Sequence, residues 1–257
     1  MKKTRFHSKK EIAKPETESE FPFRLNKYVA HCGICSRREA AELVKSGKIK
    51  VNNVVETNPA YELQEKDKVY YEDKLIKRSQ TLFYILLNKP KNVITTLNDE
   101  RGRKTVFDLI KQDIKERIYP VGRLDRNTTG LLLMTNDGDL AQKLSHPSHK
   151  MKKIYHATLD KNLSKADMDR ILMGVKLEDG IAEVDGIEYA NDKKNEIGVE
   201  IHSGKNRIVR RIFEHLGYET IKLDRVYFAG LTKKNIPRGK FRHLTEKEVI
   251  QLKHLKH

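Results

Sequence analysis

The apolar residues of this chain come in short runs closed by turn residues, and that spacing limits the fold more than any other feature. "LFYILL" (residues 82–87) ends at Asn88-Lys89-Pro90, and "LLLMT" (131–135) ends at Asn136-Asp137-Gly138. Runs of this length suit buried strands and fall well short of the roughly 18 apolar residues of a membrane span. The Asn-Asp-Gly turn predicts a helix that continues through Leu144. Further strands are expected at 153–160, 175–177, 181–190 and 196–202. "TVFDLI" (105–110) reads as a short helix, and longer helices are expected at 164–173, 206–216 and 245–254. Thr245 and Glu248 form a capping box for the last. Hairpin strands mixed with a few helices indicate an α+β domain with a largely antiparallel sheet, spanning residues 82–257.

An earlier segment, 21–72, has a different pattern. Leu25, Tyr28 and Val29 follow helical spacing, and Gly33 breaks it. Ser36 with Glu39 starts a second helix, whose buried stripe is Ala40, Ala41, Leu43 and Val44, and Gly47 closes it. "IKVNNVV" (49–55) then reads as two small strands around an Asn52-Asn53 turn. This predicts a small α/β domain. Residues 73–81 read as a polar linker and residues 1–20 as a charged, disordered arm without the apolar core of a secretory signal.

Charge sets the class of partner. The 52 basic and 36 acidic residues leave a formal charge of +16, which points to nucleic acid through phosphate neutralisation. On the second helix and just after it, Arg37, Arg38, Lys45 and Lys48 form a basic face suited to an RNA backbone. In "HSGKNRIVRRIFEHLGY" (202–218), Ile208, Val209, Ile212 and Phe213 fall on one side of a helix. Arg207, Arg210 and Arg211 fall on the other, facing phosphate or reaching a buried carboxylate. Cys32 and Cys35 form a lone CxxC with no second pair, so they read as buried and inert. Two cysteines in so long a chain fit a reducing cytoplasm.

One carboxylate stands out. In "GRLDRNTTGLLLMTNDGDL" (122–140), Asp125 sits between Arg123 and Arg126 immediately before a buried strand. Opposite charge favours the ionised carboxylate. Local evidence alone leaves nucleophile, base and salt-bridge partner open. No Gly-rich Lys-Ser/Thr phosphate loop is present.

These motifs resemble known families. "RLNKYVAHCGICSRREAAELVKSGKIKVNNVV" (24–55) is similar to the S4 RNA-binding domain. "GRLDRNTTGLLLMTNDGDL" closely resembles the catalytic motif of pseudouridine synthases of the small-subunit ribosomal type. "LLNKPKNVITT", "KKIYHATL" and "GKNRIVRRIFEHLGY" resemble that family's first, tyrosine and arginine motifs. The resemblance implies isomerisation of uridine to pseudouridine in ribosomal RNA, with no metal and no cofactor. It implies that Asp125 is the catalytic aspartate, Tyr155 lies against the target base, and Arg210 pairs with the aspartate. Arg211 is the alternative if the register is one residue off. Arg123 matches an arginine near the flipped-out nucleotide.

Lys91-Asn92 departs from the family, which has a glycine after the Lys-Pro pair; Asn tolerates a positive φ. "GVKLEDG", "HPSHKMKKIY", Ile-Pro-Arg-Gly at 236–239 and Asn-Thr-Thr after the aspartate lean towards the large-subunit branch and a 23S target. A 16S target and a non-catalytic S4-type assembly factor are the alternatives. A monomer is expected.

Overall fold

The computed structural model describes residues 12–13, 22–78 and 81–255. It divides into two compact units, Met1–Phe83 and Tyr84–His257. The arm expected at 1–20 lies outside the described residues, except that Ile12–Ala13 pair with Thr81–Leu82.

In the first unit, helices Leu25–His31 and Arg37–Lys45 pack over a sheet ordered Val54–Val55, Ile49–Val51, Val69–Tyr71 and Lys74–Leu75. Its core holds Leu25, Val29, Ala40, Val44, Ile49 and Val69. Fully burying each of the Leu, Val and Ile side chains favours folding by about 1.5–3 kcal/mol before chain entropy is counted. The Ser36–Glu39 capping box forms in both directions. Asn52 and Asn53 both take positive φ, as a two-residue hairpin turn requires. Lys74–Leu75 fall in the stretch expected to be a linker, yet they pair with Tyr70–Tyr71 and extend the sheet. A sheet edge offers backbone partners that polar composition does not reveal.

The second unit is built on a sheet ordered Gly186–Tyr189, Glu196–Ile201, Lys153–Leu159, Thr220–Phe228, Thr129–Thr135, Tyr84–Lys89 and Phe241–His243. All of these pairings are antiparallel except one. Thr129–Gly130 runs parallel to Asp224–Arg225. Gly130 makes that approach possible: a Cβ there would lie 2.2 Å from the Arg225 carbonyl oxygen. Helices Gly138–Ser145, Lys165–Leu172, Ile208–His215 and Glu246–Lys253 flank the sheet.

Several elements differ from the sequence reading. The nine-residue strand Thr220–Phe228 was not expected at all. Its pairing with Lys153–Leu159 shifts register twice, so its buried residues Thr220, Leu223, Arg225 and Phe228 do not alternate. The strand expected at 181–190 is two strands: Gly180–Ala182 pair with Val175–Leu177, and Gly186–Tyr189 join the main sheet. "TVFDLI" yields one tight turn, Phe107–Leu109.

Candidate active site

Asp125 lies on the loop between Val121 and the strand Thr129–Thr135, and the carbonyls of Leu124, Asp125, Arg126 and Thr128 are all held. Thr95 Oγ1 donates to the carbonyl of Leu124 at 2.7 Å. The Thr128 amide donates to that of Asp125, and the Asn92 amide to that of Arg126. Asn92 does so at φ +65°, so the departure from glycine keeps the turn. Lys89, with no exposed surface, places its ammonium against the carbonyls of Pro90, Arg126 and Thr128. Burial, offset in part by the Asp125 charge, pulls Lys89 down to about 8. The loop is therefore fixed through its backbone, and the carboxylate has no part in holding it.

A second brace lies at the foot of the same strand. Asp224 accepts from Thr129, from Lys233 and, twice, from Arg238. Burial would raise its carboxyl, but the hydrogen bonds from Arg238 and Lys233 prevail and hold it below the usual range. Arg238 also donates to Asn88 Oδ1 at 2.6 Å, joining the Ile-Pro-Arg-Gly segment to the Lys89 strand.

Asp125 opens onto a cavity of about 150 Å³ whose walls include Arg123, Lys153, Tyr155, Arg207 and Arg225. A cavity of about that volume can take up benzene, so a single six-membered base fits. Among the described residues, Asp125 is the one acidic residue lining it.

The sequence-derived residues divide clearly. Asp125, Tyr155, Arg123 and Arg207 meet at the cavity. Arg207 Nη1 stands 4.0 Å from Asp125 Oδ2, and its other nitrogen bonds Glu214 at 3.1 Å. Arg210 does not lie on a solvent stripe; it is 7% exposed, and its guanidinium donates to the Thr220 carbonyl at 2.7 Å. Among the described residues it forms no ion pair with Asp125, contrary to the pairing that the resemblance implied. The helix is rotated so that the first of the two arginines packs inward. Burial, then the Arg207 charge, lower Arg210 below the usual arginine range, and Asp125 acts in the opposite direction. Arg211 bonds Asp179 at 2.7 Å, away from the cavity.

In the first unit Arg37, Arg38, Lys45 and Lys48 are exposed, and Lys45 pairs with Glu42. Cys32 and Cys35 are half-buried rather than buried. Burial pushes the Cys32 thiol up to about 12, so it stays protonated and unreactive.

Three residues of the site escaped the sequence reading. Lys89 and Lys153 sit in quoted motifs but were read only as a strand end and a strand start. Arg225 is in the unexpected strand.

Comparison with known proteins agrees with this geometry. Residues 83–215 match the family model described as RNA pseudouridylate synthase, and residues 23–69 match the S4 domain. The chain is 42% identical to ribosomal large subunit pseudouridine synthase B of Bacillus subtilis, over 90% of this chain and 96% of that protein. It is 37% identical to an uncharacterized RNA pseudouridine synthase of Aquifex aeolicus, over 89% and 93%. A crystal structure of a pseudouridylate synthase shares the fold, with a TM-score of 0.65 at 24% identity over 90% of this chain and 99% of that one. The braced Asp125 loop, the base-sized basic cavity and these matches together place the chain in the RNA pseudouridylate synthase family, as an RNA pseudouridine synthase with an S4 domain ahead of its synthase domain.

Proposed function

We propose that this enzyme isomerises one uridine of large-subunit (23S) ribosomal RNA, with Asp125 as the acting carboxylate on a flipped-out base. The observation that carries this reading is the one carboxylate that lines the cavity among the described residues, facing Arg207 at 4.0 Å and rigid at its backbone. Flipping costs roughly a few kcal/mol, and stacking on Tyr155 returns about 1–3 kcal/mol. Attack of Asp125 at C1′ or C6, or proton removal from the ribose, are all within reach of a carboxylate so placed. Arg210 adds buried positive charge behind Asp125. Arg123, Arg207 and Arg211 meet phosphates around the target, while Arg37, Arg38, Lys45 and Lys48 hold RNA further away.

The large-subunit target is supported by the name of the Bacillus relative. One chain supplies every residue invoked, so a monomer suffices, working in the cytoplasm where ribosomes assemble. The test is a deletion strain whose ribosomal RNA is mapped for pseudouridine. One position should be lost from 23S RNA and restored by the wild-type gene but not by Asp125→Asn. Loss from 16S RNA instead, or no loss, overturns the proposal.

A further inference from the structure

The register shift beside Tyr155 decides which side chain faces the base. Ile154 pairs with Tyr227 but Tyr155 pairs with Arg225, so Val226 is skipped. In an unbroken strand Val226 would share a face with Phe228, and Arg225 would point away. The bulge brings Arg225 round, so that Lys153, Tyr155, Arg225 and Phe228 all line the cavity.

Two of these four are cations without a carboxylate partner among the described residues. Arg225 is 2% exposed; its Nε donates to the Leu131 carbonyl, its guanidinium carbon lies 4.7 Å from the centre of the Phe228 ring, and its Nη2 has no hydrogen-bond partner. The Lys153 ammonium reaches only carbonyls, those of His202 at 2.7 Å and Ser203 at 3.2 Å. Burial, then the Arg225 charge, pull Lys153 down to about 8. Bringing two like charges together indoors is costly unless something negative joins them. The exposed cations Arg123, Lys205 and Arg207 stand at the rim, where phosphates arrive. Lys153 lies deeper, on the same strand and face as Tyr155, where the base goes.

We propose that Lys153 donates to a carbonyl oxygen of the flipped uracil, with Arg225 as a second positive charge behind it, and that this pair both selects uracil and steadies the charge that develops on it. The inference rests on the reading of the cavity as the uridine site. In the isomerisation the N1–C1′ bond breaks with its electron pair remaining on uracil. The resulting negative charge spreads over N1, O2 and O4. The C5–C1′ bond then forms, the C5 proton leaves to a base, and N1 takes up a proton, so atoms and charge balance. A cation fixed at O2 or O4 favours the charged state over the neutral ground state, which raises turnover rather than affinity. Cytosine presents an amine where uracil presents O4, and an ammonium there opposes it.

The test uses the full chain and a short RNA carrying the mapped target uridine, made with uridine, 2-thiouridine or 4-thiouridine at that position. Sulfur is the poorer acceptor. Lys153→Met should fold, bind RNA with unchanged salt dependence, and lose turnover by about 10- to 100-fold. One thio substitution should slow the wild type by several-fold yet leave Lys153→Met almost unaffected, because the contact is already gone. Lys153→Arg should recover part of the rate. If both thio effects persist undiminished in Lys153→Met, the lysine does not touch the base and the inference fails. The same holds if Lys153→Met changes KM and salt slope alone, which would make Lys153 a phosphate contact. Asp125→Asn, run in parallel, separates the two readings: an active Asp125→Asn overturns the site itself, whereas an inactive one beside a fully active Lys153→Met overturns only this proposal.

Discussion

Arg207 Nη1 comes to 4.0 Å from Asp125 Oδ2, and the arginine holds φ +47° at the start of its helix. A non-glycine residue in that region stores strain, and such strain gathers at functional positions. Arg210, three residues on, is buried and spent on the Thr220 carbonyl. The two arginines should therefore fail differently. Arg207→Met removes a long, partly exposed pair worth at most about 1 kcal/mol to stability, so melting should hardly change while turnover falls. Arg210→Met leaves a buried carbonyl unsatisfied at about 1–3 kcal/mol, and melting should drop by about 2–4 °C for each kcal/mol. Melting curves and single-turnover rates for both variants check this. A greater loss of stability in Arg207→Met would contradict it.

Asp125→Asn should be a clean catalytic lesion. The loop is held by Thr95, Asn92 and Lys89 through backbone carbonyls, none through the carboxylate. Stability should stay within about 0.5 kcal/mol, RNA affinity within a few-fold, and tritium release from C5-labelled uridine should vanish. Near-normal release from a well-folded variant would refute the role of Asp125.

Arg37, Arg38 and Lys48 are exposed on the S4 domain. Replacing all three with Ala should weaken RNA binding and lower the salt slope by roughly 2–3, since each phosphate contact contributes about 0.7–0.9. Turnover at saturating RNA should not change. Titrations at several salt concentrations measure both; an unaltered slope would remove these residues from the RNA interface.

Two lysines, Lys89 buried and Lys153 half-buried, predict a pH response. Lys89 and Lys153 are each pulled down to about 8 when folded, against about 10.4 unfolded. Between those values the unfolded chain binds more protons, so this contribution to stability rises with pH. The Tyr84 and Tyr119 hydroxyls, both raised by burial, act in the opposite direction as the unfolded tyrosines begin to ionise. The comparison is thus between chains. From about pH 7.5 to about pH 9.5, the denaturation midpoint of Lys153→Met should move less favourably than that of wild type. Identical shifts would show that Lys153 keeps its ordinary affinity for protons in the fold.

Much of this protein was legible along the chain because the signals are local. The Ser36–Glu39 and Thr245–Glu248 boxes, the Asn52-Asn53 turn and the buried runs at Tyr84–Lys89 and Thr129–Thr135 depend on neighbours a few residues apart. Asp125 was conspicuous for the same reason, as a carboxylate between two arginines in a glycine-bounded turn. Everything that required distant segments to meet was decided by tertiary structure. The strand Thr220–Phe228 was invisible because its bulges, produced by pairing with Lys153–Leu159, destroy the alternation that marks a strand. The inward turn of Arg210 and the approach of Arg207 to Asp125 follow from how one helix rotates on the sheet, which helical spacing alone leaves open. Lys89 and Lys153 looked like ordinary strand residues, since a lysine's environment is set by what closes over it. Here that cover comes from carbonyls 37 to 50 residues away, and Arg225 joins them through the register shift against Tyr155 and the parallel contact that Gly130 permits.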